Sequence, residues 1–155
     1  MPEPLAVKVS IEAVRLFKSG YHCSEAVLLA FEKYTDNEYS DAMKRGMSAF
    51  VEGIGGSGCI CGALAGGTFV LSTMGGRLSP DESTEKLQDI VKQLHDEFRH
   101  EFRSACCRVI TKNSSKVFGL GKYKNCTKTV DFVAMRIVDI AIENDWIQEK
   151  TPAVK

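Results

Sequence analysis

The chain has 155 residues, 44% of them hydrophobic, which is enough for one domain with an adequate core and too few for two. Lys plus Arg and Asp plus Glu stand at 20 each, so there is no broad basic field to collect phosphates by counterion release, and nucleic acid is not the expected partner. Met1 to Ser10 lacks the charged start and long apolar run of a secretory signal, so the expected compartment is the cytoplasm.

Val7, Ile11, Val14 and Phe17 recur at helical spacing and predict a first helix over Leu5 to Lys18, with Gly20 placed to form a left-handed cap. A second helix opens at Cys23 and runs through Ala26, Val27, Ala30, Phe31 and Tyr34, with Cys23 in the first turn of the buried face. Asp36 to Ser40 is a polar break. Met43, Met47 and Phe50 mark a shorter third stripe over Asp41 to Phe50, before a glycine-rich loop, Gly53 to Gly58.

Cys59 to Met74 is the most apolar stretch, yet it falls short of the roughly 20 residues that span a bilayer, so it predicts a buried core helix and no membrane span. Gly62, Gly66 and Gly67 would let a neighbouring backbone approach, which places this helix at the centre of the fold, ended by Gly75 and Gly76. The same glycine-rich apolar helix predicts a homodimer.

Ser79, Pro80, Asp81 and Glu82 have the chemistry of a helix start: a Ser cap, Pro in the first position and a carboxylate three residues after the Ser. Leu87, Ile90, Val91, Leu94, Phe98 and Phe102 continue that stripe towards Ser104 to Ile110. After a connection, Thr111 to Asn125, the last helix carries Cys126, Val130, Val133, Ala134, Ile137 and Ala141 on one face, and Lys150 to Lys155 is a frayed tail. With no alternating strand, repeat or linker, the fold class is all-α, a single-domain bundle of five to six helices around the glycine-rich one.

Six cysteines in a reducing compartment point to metal binding or thiol redox chemistry before structural disulfides. Cys23, Cys61 and Cys126 fall in or beside the first turn of a predicted helix, and Cys107 follows Ser104 as its expected cap. Helix N-termini offer unpaired N–H groups and partial positive charge, which favour the thiolate and lower its pKa below about 8.5. Four such ends converging would suit an anionic sulfur-ligated centre and reactive thiols equally, and each cysteine taken singly is as well explained as a small buried hydrophobe.

No C-x-x-C pair is present, so neither a thioredoxin-like motif nor a zinc knuckle follows from spacing, and the absence of C-x-x-C-H argues against covalent haem. Two close pairs stand out, Cys59-Ile60-Cys61 and Cys106-Cys107; a disulfide within either is strained, so one member of each is expected to act and its neighbour to be incidental. His22, beside Cys23, is a further candidate ligand for zinc or iron. Glu97, Arg99, His100 and Arg103 read as a solvated charged face, and the Gly53 to Gly58 loop lacks the Lys-Ser/Thr ending of a phosphate cradle.

The stretches Tyr21-His22-Cys23-Ser24-Glu25-Ala26-Val27, Cys61-Gly62-Ala63-Leu64-Ala65-Gly66, Cys107-Arg108-Val109-Ile110 and Asn125-Cys126, in that order, resemble a family of redox-active proteins with a C…CGAxxG…C…C pattern. The resemblance implies that Cys23, Cys61, Cys107 and Cys126 are that family's four cysteines, while Cys59 and Cys106 have no assured counterpart. The family is similar to the helical domain of split-Soret cytochromes, which implies an iron–sulfur cluster held by four thiolates, electron transfer and a redox partner protein. From the residues alone two rivals stay open: thiol redox chemistry with Cys61 and Cys107 as reactive residues, and a structural zinc site on an interaction domain. Whether Cys59, Cys106 or His22 joins the ligand set stays open with them.

Overall fold

Helical periodicity in the sequence becomes seven α-helices, with no strand among the described residues, which are 3–112 and 124–149 of a computed structural model. They are α1 (Leu5–Lys18), α2 (Cys23–Tyr34), α3 (Asp41–Gly46), α4 (Gly62–Gly75), α5 (Glu85–Phe102), α6 (Cys107–Lys112) and α7 (Lys124–Glu143), with a 3₁₀ turn at Met47–Phe50. Five are long, while α3 and α6 have 6 residues each, which meets the all-α expectation. The tail expected over Lys150 to Lys155, and residues 113–123 of the expected connection, lie outside the described residues.

The stripe on α7 lies in the core: Val130, Val133, Ala134, Ile137, Val138 and Ala141 are fully buried, and the helix packs against α1, α2, α4 and α5. As its glycines predict, α4 is also internal, lying against α2, α5 and α7. A side chain on Gly66 would stand 2.9 Å from the Ser24 backbone, so the α2–α4 approach requires glycine there despite a helix-propensity cost of about 1 kcal/mol. That face is covered from within the chain, and the homodimer expected from it gains no support there. Arg136 clamps α7 to α5, its guanidinium donating to both oxygens of Glu97 at 2.5 and 3.0 Å.

Several local expectations need correction. On α1 the buried face is Ala6, Val9 and Ala13, while Ile11 is 55% exposed. Small residues let α1 lie close to both α2 and α7, and alanine is a weaker pattern signal than isoleucine. The third stripe breaks at Gly46 into α3 and the 3₁₀ turn; Met47 is buried and Met43 exposed. Ser79 to Glu82 closes a turn and does not start a helix. Glu82 accepts from the Leu78 and Ser79 N–H groups, and Arg77 donates to the Pro80 and Glu82 carbonyls that an early helix would use, so α5 begins at Glu85. The apolar helix expected from Cys59 starts at Gly62, because Cys61 has a non-helical backbone, φ −55° and ψ 125°, and stands as the N-cap with its N–H donated to the Ala105 carbonyl at 2.7 Å. Ser104 does not cap α6: its hydroxyl accepts from the Cys106 N–H, and it is the Cys106 carbonyl that receives the Ile110 N–H.

Candidate functional site

Four chain segments deliver a cysteine to the same end of the bundle. Cys23 is the first residue of α2, Cys61 the N-cap of α4, Cys107 the first residue of α6, and Cys126 lies in the first turn of α7. Glu25 locks the start of α2 by accepting from the His22 N–H at 2.8 Å and from the Ser48 hydroxyl at 2.7 Å, while Ser24 donates to the Met47 carbonyl. The bonds from Cys61 N–H to Ala105 and from Arg108 N–H to Gly58 lay the Cys61 segment beside the Cys107 segment. The Asn125 side-chain amide donates to the Ile110 carbonyl at 2.8 Å and ties the start of α7 to α6.

Cys23, Cys61, Cys107 and Cys126 line one cavity of about 970 Å³, which His22, Lys18, Arg108 and Lys124 also border. Cys59 and Cys106 are not among its lining residues. Gly62 makes room in the wall: a Cβ there would lie 2.4 Å from the Cys23 sulfur and 2.8 Å from the Phe50 carbonyl oxygen. Among the described residues, no three His, Cys, Asp or Glu side chains are gathered tightly enough, as they stand, to hold one metal ion.

Loss of water governs the Cys23 and Cys61 thiols. It pushes Cys23 up to about 12, with like-charge repulsion from Cys61, Cys126 and Cys107 adding to the effect. It also raises Cys61, against hydrogen bonds from the Leu64 and Ala63 N–H groups and the Thr129 hydroxyl that favour its thiolate. The lowering expected from helix N-termini is therefore outweighed at these positions, because withdrawing a sulfur anion from water costs more than a helix end returns. Thr129 escapes sequence reading. It is buried one turn after Cys126, where a hydroxyl on an apolar stripe is the signal, and it donates to the Cys126 carbonyl at 2.8 Å.

The close pairs in the sequence are not the pairs in space. Cys59 meets Cys106, sulfur to sulfur at 3.1 Å, with Cys59 exposed and Cys106 half-buried. Their hydrogen bond holds the Cys59 thiol above its usual range. Of the charged set on α5, Glu97 turns to Arg136, which removes it from a purely solvated face.

An all-helical bundle that brings four cysteines from four helix starts to one cavity defines a cysteine-site protein. Residues 21–140 match the family described as Putative redox-active protein (C_GCAxxG_C_C), and the chain belongs to that family. The matched span contains all four cavity cysteines. No curated protein and no solved structure matches the chain. Among the described residues, no helix is long and apolar enough to cross a membrane.

Proposed function

We propose that Cys23, Cys61, Cys107 and Cys126 hold an iron–sulfur cluster and that the protein carries electrons. The observation behind this reading is the meeting of four thiols from four chain segments on one cavity wall. Thiolate sulfur is the donor such clusters take, and the cluster when bound supplies one-electron transfer. Tetrahedral zinc, with Zn–S of about 2.3 Å, needs its four sulfurs drawn tightly together, and no three of the described His, Cys, Asp or Glu side chains are gathered that closely.

The chain's own residues supply the rest. The Ala63 and Leu64 N–H groups point at the Cys61 sulfur and stabilise it once deprotonated. The N-termini of α2, α4 and α7, helices of 12, 14 and 20 residues, add partial positive charge. Lys18, Arg108 and Lys124 on the cavity wall offset the negative charge of four thiolates. Exchange chemistry at Cys61 fits less well, because the residue is only 5% exposed and a dissolved disulfide has no access to it. In this reading the chain works in the reducing cytoplasm with a separate redox partner protein, and a homodimer has to use a surface other than the glycine face of α4.

The test is anaerobic purification followed by an absorption spectrum and iron, sulfide and zinc analysis of the parent chain, Cys61→Ser and Cys126→Ser. Visible charge-transfer bands with matching iron and sulfide, lost in both variants, are expected. One equivalent of zinc without sulfide would replace the cluster by a structural zinc site; a colourless, metal-free protein after iron and sulfide reconstitution would overturn metal binding.

A further inference from the structure

We propose that Cys59 and Cys106 form a second, outer redox site: a vicinal dithiol that exchanges with low-molecular-weight disulfides and closes into a Cys59–Cys106 disulfide. The proposal stands whether or not the four-cysteine cavity holds a cluster. Three observations carry it. The two sulfurs are in contact at 3.1 Å although the residues are 47 apart in sequence. The contact is built by the backbone, since the Arg108 N–H to Gly58 and Cys61 N–H to Ala105 bonds bracket the pair on both sides. Neither residue lines the cavity of the other four cysteines, so the pair is not taken up by that site.

The exposures divide the labour. Cys59 faces solvent and can be reached by a dissolved disulfide; Cys106 is half-buried, with its sulfur in contact with that of Cys59. In the first step the Cys59 sulfur attacks one sulfur of RSSR, a new S–S bond forms, and RS⁻ departs and takes up the proton that Cys59 gave to solvent. In the second step the Cys106 sulfur attacks the Cys59 sulfur, the mixed disulfide breaks, and a second RSH leaves. Two protein thiols are oxidised to one disulfide and one small-molecule disulfide is reduced to two thiols, so electrons, protons and sulfur balance. Holding the resolving sulfur in contact converts the second step into an intramolecular one, which favours resolution over a lasting mixed disulfide. The outcome also reaches the cavity: the disulfide would add a covalent link between the Gly58–Cys61 and Ala105–Arg108 segments, which backbone hydrogen bonds already hold side by side and which carry Cys61 and Cys107.

The experiment uses the full chain, reduced and then incubated anaerobically with oxidised glutathione, with quenching by acid alkylation and peptide mass mapping. A Cys59–Cys106 linked peptide is expected as the first product, with two glutathione thiols released per chain. Cys106→Ser is expected to accumulate glutathione on Cys59, and Cys59→Ser to slow glutathione release by about tenfold or more. Circular dichroism of both variants, which alter residues outside the core, confirms that they fold. A first linkage between other cysteines, stable glutathione on Cys59 of the parent chain, or no reaction would each overturn the proposal.

Discussion

The Cys23 sulfur occupies the place that a side chain on Gly62 would need. A Cβ at residue 62 would meet that sulfur at 2.4 Å and the Phe50 carbonyl oxygen at 2.8 Å, so the glycine of the CGAxxG motif is a requirement of the cysteine site itself and not of helix packing at large. Gly62→Ala is therefore expected to displace Cys23 and destabilise the chain by about 1–3 kcal/mol in urea titration. Metal content per chain should fall with it. Gly46→Ala is the comparison: that residue is helical and has open space around it, so a gain of about 0.4–1 kcal/mol is expected. Equal losses at both positions would remove the special role of Gly62.

Stability should decline in alkaline solution because of the buried thiols. Cys23 ionises near its ordinary value, 9.0, in the unfolded chain and only at about 12 in the folded one. Between those values the unfolded chain has lost the proton and the folded chain keeps it, so stability falls as pH rises. The contribution is complete below pH 9.0 and is lost on the way to about 12. Denaturation midpoints of parent and Cys23→Ser against pH measure this, and the variant's curve should be flatter across that window.

Metal uptake should release protons for the same reason. Cys23 and Cys61 are held as thiols by burial, and both must ionise to act as ligands. Reconstitution in weak buffer is expected to acidify the solution, and loading to weaken as pH falls. Loading that does not change with pH would count against thiolate ligation by this pair.

Ile54 lies in the left-handed region, at φ 45°, with its side chain 55% exposed. A β-branched residue is strained there and gains little burial in return. Ile54→Gly is expected to stabilise the chain by about 1 kcal/mol, read as a higher urea midpoint at unchanged slope. A loss would mean that Ile54 makes an apolar contact worth more than its backbone strain.

Arg136 pairs with both oxygens of Glu97, and this pairing holds the Glu97 carboxyl below its usual range. Because the folded pKa is depressed, the stabilisation is present above the ordinary carboxylate range and is lost as pH falls through the folded value. A double-mutant cycle with Glu97→Gln and Arg136→Met should give a coupling of about 1 kcal/mol at neutral pH that disappears in acid.

How far the sequence could be read depends on which element is considered. Ala26, Val27, Ala30 and Phe31 on α2, and Val130, Val133, Ala134, Ile137 and Ala141 on α7, are all fully buried, as their spacing predicts. On both helices large residues, Val27 and Phe31 on one and Val130, Val133 and Ile137 on the other, mark the stripe, and the alanines between them share its face. On α1 the alanines that lie innermost carry a weaker signal than Ile11, which is exposed, while Val14 and Phe17 of the same stripe pack at the edge of the core. The start of α5 lies beyond the Ser79–Glu82 pattern because a capping pattern specifies a turn, while continuation into a helix depends on where Arg77 sends its guanidinium.

For the candidate site, the sequence by itself determined the helical class and the membership of a redox-active cysteine family, since helical periodicity and an ordered motif are local properties of the chain. The tertiary structure alone decided which sulfurs meet. Cys59 stands two residues from Cys61 and Cys106 is adjacent to Cys107, yet Cys59 and Cys106 touch each other, and Cys61 and Cys107 turn to the cavity with Cys23 and Cys126. Burial, which sets the state of the Cys23 and Cys61 thiols against their helix ends, belongs to the packed molecule as well. Both depend on contacts between segments far apart in the chain, and spacing along a sequence does not encode distance across a fold.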